Sequence, residues 1–167
     1  MSPPSARRVV ELLDTSIVVE VLEVPGKSSK TSDVVAAIER KQSAGTRLFI
    51  AAAALIETGG HVSRIEDGTL RRACAQRFKT LIEKTLDGYA PWSLRPLSWD
   101  EPFLRALIRL PGQGHDMVQA IQTKYLQFGD LGVLQELLQL RANLDPTAVE
   151  VKLWTLDEKL DAASQSA

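Results

Sequence analysis

Four short apolar segments, each bounded by polar or turn-forming residues, limit what this chain can become: 9–13, 47–52, 93–98 and 149–155. Runs of this length and composition read as buried strands. They lie too far apart in sequence to be joined as hairpins. The stretches between them carry apolar residues at helical spacing: Val34, Val35 and Ile38; Leu70, Ala73, Cys74, Phe78, Leu81, Ile82 and Leu86; Phe103, Leu104, Leu107 and Ile108; Leu131, Leu134, Leu137 and Leu138. Strands that alternate with helices predict an α/β fold, with a parallel sheet and helices on its faces.

The punctuation agrees. Thr31 or Ser32 is placed to cap one helix, and Asp100 another, with Pro102 just inside it. Gly45 and Gly88 follow helical stretches where a left-handed stop is expected. Pro111-Gly112-Gln113-Gly114 is a break. Residues 17–24 are β-branched like a strand, but their place directly after Asp14 favours a short helix. Residues 8–162 are expected to form one domain, with flexible tails at 1–7 and 163–167. With 44% hydrophobic residues among 167, the chain has material for a sizeable core.

Bulk properties narrow the function less. A net charge of −1 gives no whole-molecule attraction to nucleic acid, although local basic patches and metal ions still bring phosphates in. The one cysteine, Cys74, excludes an intrachain disulfide and fits a reducing compartment. The start has no apolar core of signal-peptide length, and no stretch approaches the roughly 18 apolar residues of a spanning helix. The expected location is cytoplasmic, away from membranes.

Chemistry in open α/β sheets collects beyond the carboxyl ends of the strands, and four acids fall at such places. Asp14 ends the first strand. Glu57 lies about one helical turn beyond the second. Asp130 follows Gly129 and opens the helix 131–140, and Asp157 follows the last strand. Singly, each has an ordinary explanation as a helix cap, a turn residue or a solvated helix position. Gathered in space, they would raise one another's pKa and destabilise the fold unless a cation joined them. A set of carboxylates without His or Cys suits Mg2+ or Mn2+, whose retained waters serve phosphodiester hydrolysis.

These residues resemble the PIN domain family, as a divergent member. The resemblance runs through Leu13-Asp14-Thr15-Ser16-Ile17, then Ala53-Ala54-Leu55-Ile56-Glu57-Thr58, then Gly129-Asp130-Leu131 opening a Leu-rich helix, and last Leu153-Trp154-Thr155-Leu156-Asp157. It spans roughly residues 8–162. It implies a three-layer α/β/α sandwich around a central parallel sheet of four or five strands, and a metal-dependent ribonuclease acting on single-stranded or structured RNA. Asp14, Glu57 and Asp130 would be the core metal-site acids and Asp157 the fourth. Ser16 and Thr155 would be the hydroxyl residues that support the site. The family setting implies the toxin of a toxin–antitoxin pair or a phage-defence system, with a protein inhibitor, a complex partner or a homodimer. The alternative is a catalytically inactive PIN-like scaffold or an RNA-binding subunit. The departures are a chain that ends soon after Asp157 and a long middle section.

Other signals are weaker. Val24-Pro25-Gly26-Lys27-Ser28 lacks the earlier glycine of a phosphate-binding loop, since Val21 stands there. Asp14-Thr15-Ser16 lacks the second Asp of a phosphatase nucleophile motif. His61 and His115 have no metal-ligand spacing with each other or with Cys74, which reads as a small packing residue. Arg71, Arg72, Arg77 and Lys79, with Arg40, Lys41 and Arg47 and with Arg95, Arg105 and Arg109, read as solvated helical faces or as a phosphate track. Trp92 and Trp99 flank the third strand, where they would either pack or stack on bases.

Overall fold

The computed structural model describes residues 7–95, 99–109 and 116–167. In chain order the elements are β1 (Arg8–Leu13), α1 (Thr15–Val21), α2 (Thr31–Ser43), β2 (Arg47–Ile50), α3 (Ala52–Ser63), α4 (Gly68–Leu86), β3 (Ser93–Leu94), α5 (Glu101–Arg109), α6 (Met117–Gln122), α7 (Phe128–Ala142), β4 (Val149–Trp154) and α8 (Glu158–Ser166). The first six residues of the expected tail, the expected strand end at 96–98, the break at 111–114 and His115 lie outside the described residues. No helix among those described is long and apolar enough to cross a membrane.

The four strands form one sheet in the order β3-β2-β1-β4, and every pair is parallel. The chain steps outward from β1 to β2 and β3, then returns to lay β4 on the far side of β1. β1 and β4 therefore flank the point where the strand order reverses, the usual place for a crevice at the strands' carboxyl ends. Register fixes what meets there. Leu13 pairs with Ile50 on one side and Trp154 on the other, so Asp14, Ala51 and Thr155 leave the sheet side by side. Backbone bonds continue past the ladder, from Asp14 N to Trp154 O at 3.1 Å and from Ala51 N to Leu13 O at 3.2 Å.

β1 is central and buried from its third residue onward, which is why it reads as a near-continuous apolar run. Its one buried charge, Glu11, is paired with Lys41 of α2 at 2.6 Å. The edge strand β4 instead carries Glu150 and Lys152, paired at 3.2 Å; such charges discourage edge-to-edge association. The core runs through Leu12, Leu13, Ile17, Ile50, Phe103, Leu107, Leu131, Leu137 and Leu160. Helix α7 lies within it and is buried on nearly all sides through its middle, from Leu131 to Leu137.

Several boundaries differ from expectation. The second strand stops at Ile50, because Ala52 already starts α3. The 17–24 segment is helical as far as Val21, in α1, and its last three residues leave the helix. Thr31 does not cap α2 but begins it; its hydroxyl donates instead to Glu20 O at 3.0 Å, and Lys30 precedes the helix with no side-chain cap. Buried Glu20 holds that turn by accepting from the amides of Ser29 and Lys30. Gly45 and Gly88 both take φ of 77°, the left-handed stops expected of them. Residues 163–167 are not a flexible tail: α8 runs to Ser166, buries Leu160 and Ala163 one turn apart, and is tied down by Arg141 Nη1, which donates to Ser164 O at 2.8 Å and Ala167 O at 2.9 Å.

Candidate metal centre

Asp14 is the N-cap of α1. Its Oδ2 accepts from Ser16 N at 3.2 Å, Ser16 Oγ at 2.9 Å and Thr155 Oγ1 at 2.9 Å. The two hydroxyls lie 3.3 Å apart, and each is held from behind: Leu156 N donates to Ser16 Oγ at 2.8 Å and Asp157 N to Thr155 Oγ1 at 3.0 Å. The ends of β1 and β4 are thus stitched together around one carboxylate oxygen. The other oxygen, Asp14 Oδ1, is buried with no hydrogen-bond partner. A buried acceptor left in that state carries its full desolvation cost.

Glu57 lies on α3 and accepts from Thr15 Oγ1 at 2.7 Å through Oε2. Its carboxylate sits against the first turn of α7, where a Cβ on Gly129 would stand 2.8 Å from Oε2. Glycine is what permits that approach. The start of α3 is fixed by an acid that the sequence reading did not single out. Glu136 of α7 is wholly buried and accepts from Ala52 N and Ala53 N, each at 2.8 Å, and from Trp99 Nε1 at 3.3 Å. Burial pushes its pKa up, while the two amides, the indole and nearby Arg95 pull it back down. Thr15 was also passed over. A hydroxyl beside Asp14 and an acid inside a Leu-rich helix were the available signals, since a buried acid requires partners.

Asp130 is the third residue of α7 and not its opening cap. Gln127 takes that place, and Gln127 N donates back to Asp130 Oδ2 at 2.7 Å in a capping box. The Asp130 carboxyl is pushed up to about 6: burial contributes most, the Gln127 amide opposes it, and the charges of Glu57, Asp14 and Asp157 raise it further. All three other acids therefore stand close enough to act on it. Asp157 is the N-cap of α8, accepting from Lys159 N at 2.8 Å and Leu160 N at 3.0 Å. It shares a recess of about 400 Å³ with Asp130, Lys124, Tyr125 and Lys159.

The acids are neighbours, yet among the described residues no three His, Cys, Asp or Glu side chains have their donor atoms gathered as a ligand set. Each carboxylate is turned to a nearby hydroxyl or amide.

The remaining candidates resolve into packing. Trp92 is buried and donates from Nε1 to Thr85 Oγ1 at 2.9 Å, so its ring is not available to a base. Trp99 is half-buried and stacks on Phe103 with ring centroids 4.9 Å apart. Cys74 is buried, which pushes its thiol pKa up and away from the reactive thiolate. Arg77 donates to Leu22 O and Glu23 O, Arg71 to Ile65 O, Lys79 pairs with Glu83, and Arg105 pairs with Glu101. His61, one turn beyond Glu57, has its pKa lowered by burial; Glu57 opposes this, and Lys27 and Arg64 add to it.

No protein-family profile matches the sequence, and no curated protein matches it. The structure of FitAcB from Neisseria gonorrhoeae does match in fold, with a TM-score of 0.57 over 94% of this chain and 94% of that one, at 16% sequence identity. The fold is PIN-like. At that identity the likeness carries the architecture alone, a four-stranded parallel sheet flanked by helices, and any chemistry has to be argued from the side chains.

Proposed function

We propose that this chain is a metal-dependent endoribonuclease that holds Mg2+ or Mn2+ with Asp14, Glu57, Asp130 and Asp157. The observation that carries the reading is Asp14 Oδ1, a buried carboxylate oxygen with no partner, set beside three further carboxylates. An all-oxygen donor set of this kind suits a hard divalent cation, which offsets both the orphaned oxygen and the repulsion. When bound, such an ion supplies a water that is nucleophilic near neutral pH and charge stabilisation for the phosphodiester oxygens.

The protein's own contribution is orientation. Ser16 and Thr155 occupy Asp14 Oδ2 and leave Oδ1 for another ligand. Thr15 fixes one oxygen of Glu57, and Glu136 fixes the helix that carries it. Asp130 must shed its proton to serve, so protons compete with the ion for this carboxyl and metal affinity should fall as the pH drops. Asp157, at the rim, positions a water or a second ion. Lys124 and Lys159 beside it supply charge for an incoming phosphate.

A ribonuclease of this kind needs restraint in the cell. We place it as the toxin of a toxin–antitoxin or phage-defence system, held by a protein inhibitor, a complex partner or a second copy. The second reading, an inactive scaffold or RNA-binding subunit, draws on the cap bonds that occupy Asp130 and Asp157. Incubating single-stranded RNA with the chain and with Asp14→Asn, each with and without manganese, separates the two. Manganese-dependent cleavage lost in Asp14→Asn supports the nuclease. Equal cleavage by both proteins, or none by either, removes it.

A further inference from the structure

Beside Glu57 lies a second recess of about 400 Å³ between α3 and the start of α7. Its walls include Ile56, Glu57, His61, Arg64, Trp99 and Phe128. Two of these are large apolar side chains with no burial to explain them: Ile56 is 68% exposed and Phe128 47%. They stand on different elements that meet at this recess, which the half-buried Trp99 also lines. Trp99 is held in place by Phe103 on one side and Glu136 on the other. Cationic groups border the same space. Arg64 is exposed, and both Arg64 and Lys27 act on His61.

An aromatic ring, an aliphatic wall and flexible cations next to acids suited to phosphodiester chemistry match one ligand class. An unpaired nucleobase stacks on aromatic and apolar surface while its phosphate takes the cations, and a base locked in a duplex offers no free face. We propose that this recess is a nucleotide subsite: it takes an unpaired base of single-stranded RNA adjacent to the phosphate held at the acids, with Phe128 as the stacking ring, Ile56 as the opposing wall and Arg64 as the phosphate contact. The proposal deepens the ribonuclease reading and rests on it, because continuity with Glu57 is what assigns the ligand to the substrate strand. It makes the chain select single strands through contact with a base as well as through charge.

The test measures binding apart from cleavage. Fluorescence anisotropy of a short labelled single-stranded RNA is recorded with magnesium in the Asp14→Asn background, beside the same strand carrying abasic positions. Phe128→Ala should weaken binding to the full strand by about tenfold, within the range that base–aromatic stacking supports. It should leave the abasic strand unchanged, and Phe128→Trp should restore the difference. Phe128 is half-exposed, so circular dichroism is expected to report an intact fold for both variants. Arg64→Ala should weaken both strands alike. If Phe128→Ala retains the parental preference for the full strand over the abasic one, the subsite is overturned and the recess is left as a protein contact. Cleavage by the unsubstituted chain with manganese reports separately: its absence removes the nuclease reading, whereas loss of base-dependent binding removes the subsite alone.

Discussion

Replacing Asp130 with Asn removes one negative charge from the acidic cluster and keeps an oxygen that can accept from Gln127 N. The Asp130 carboxyl titrates near 6 in the folded chain against 3.8 for a free side chain. The displacement is about two pH units, or about 3 kcal/mol of penalty on the folded chain once Asp130 is ionised. The carboxyl is only half-buried, so solvent screening reduces this to about 1–2 kcal/mol. The sign follows from where the proton binds more tightly. The folded pKa lies above the unfolded one, so the folded chain is favoured below about pH 4, and that advantage is lost as the pH rises through about 6. Asn does not titrate. Asp130→Asn should therefore match the parent in stability near pH 4 and exceed it above about pH 7, by roughly 2–8 °C in Tm for a chain of this length. Thermal unfolding in EDTA, followed by circular dichroism across pH, measures this directly. Manganese should invert the order, because an ion that binds the folded chain stabilises the parent by mass action and loses a ligand in the variant. A variant no more stable than the parent at high pH in EDTA would refute the claim that burial, with the neighbouring acids, disfavours the Asp130 carboxylate.

Other substitutions test the scaffold around the acids. Gly129→Ala should stabilise α7 by up to about 1 kcal/mol through helix propensity, yet reduce cleavage at least tenfold, because the added Cβ displaces the Glu57 carboxylate. Tm and RNA cleavage measured on the same sample separate the two effects. Ser16→Ala and Thr155→Val each remove a donor from buried Asp14 and should each cost about 1–3 kcal/mol in denaturant unfolding. Their double variant should be non-additive, since the two hydroxyls are in contact. Glu136→Gln leaves one amide at the start of α3 without an acceptor; a loss of about 1–3 kcal/mol is expected, with faster hydrogen exchange at Ala52 and Ala53.

The architecture was readable because a parallel sheet imposes a simple pattern. Its central strand must be apolar on both faces, and its connections must be long enough to hold helices. Hence β1, β2 and β4 were found within a residue or two, and the left-handed stops at Gly45 and Gly88 followed from glycine alone. The position of Asp14 was readable for the same reason, since the residue just past a central strand lies at the crevice. What escaped notice depends on tertiary partners. Asp130 looked like a cap because Gly129 precedes it, but the helix begins at Phe128 and uses Gln127, an uncommon capping residue. Helix α8 passed for a tail because its apolar stripe is only Leu160 and Ala163, with stability supplied by Arg141 from another element. Glu136 sits in a Leu-rich run that gives no hint of the two amides it serves. Trp92, which the sequence left between packing and stacking on a base, packs inside, where Thr85 offers its indole an acceptor.

The most direct test is the anomalous difference map of a crystal soaked in manganese. A metal centre at these acids predicts a peak within coordination distance of Asp14 Oδ1, with Glu57 or Asp130 also turned toward it and the local bonds of that carboxylate released. At saturating manganese, a map with no density among Asp14, Glu57, Asp130 and Asp157, or with a basic side chain filling that space, would contradict it.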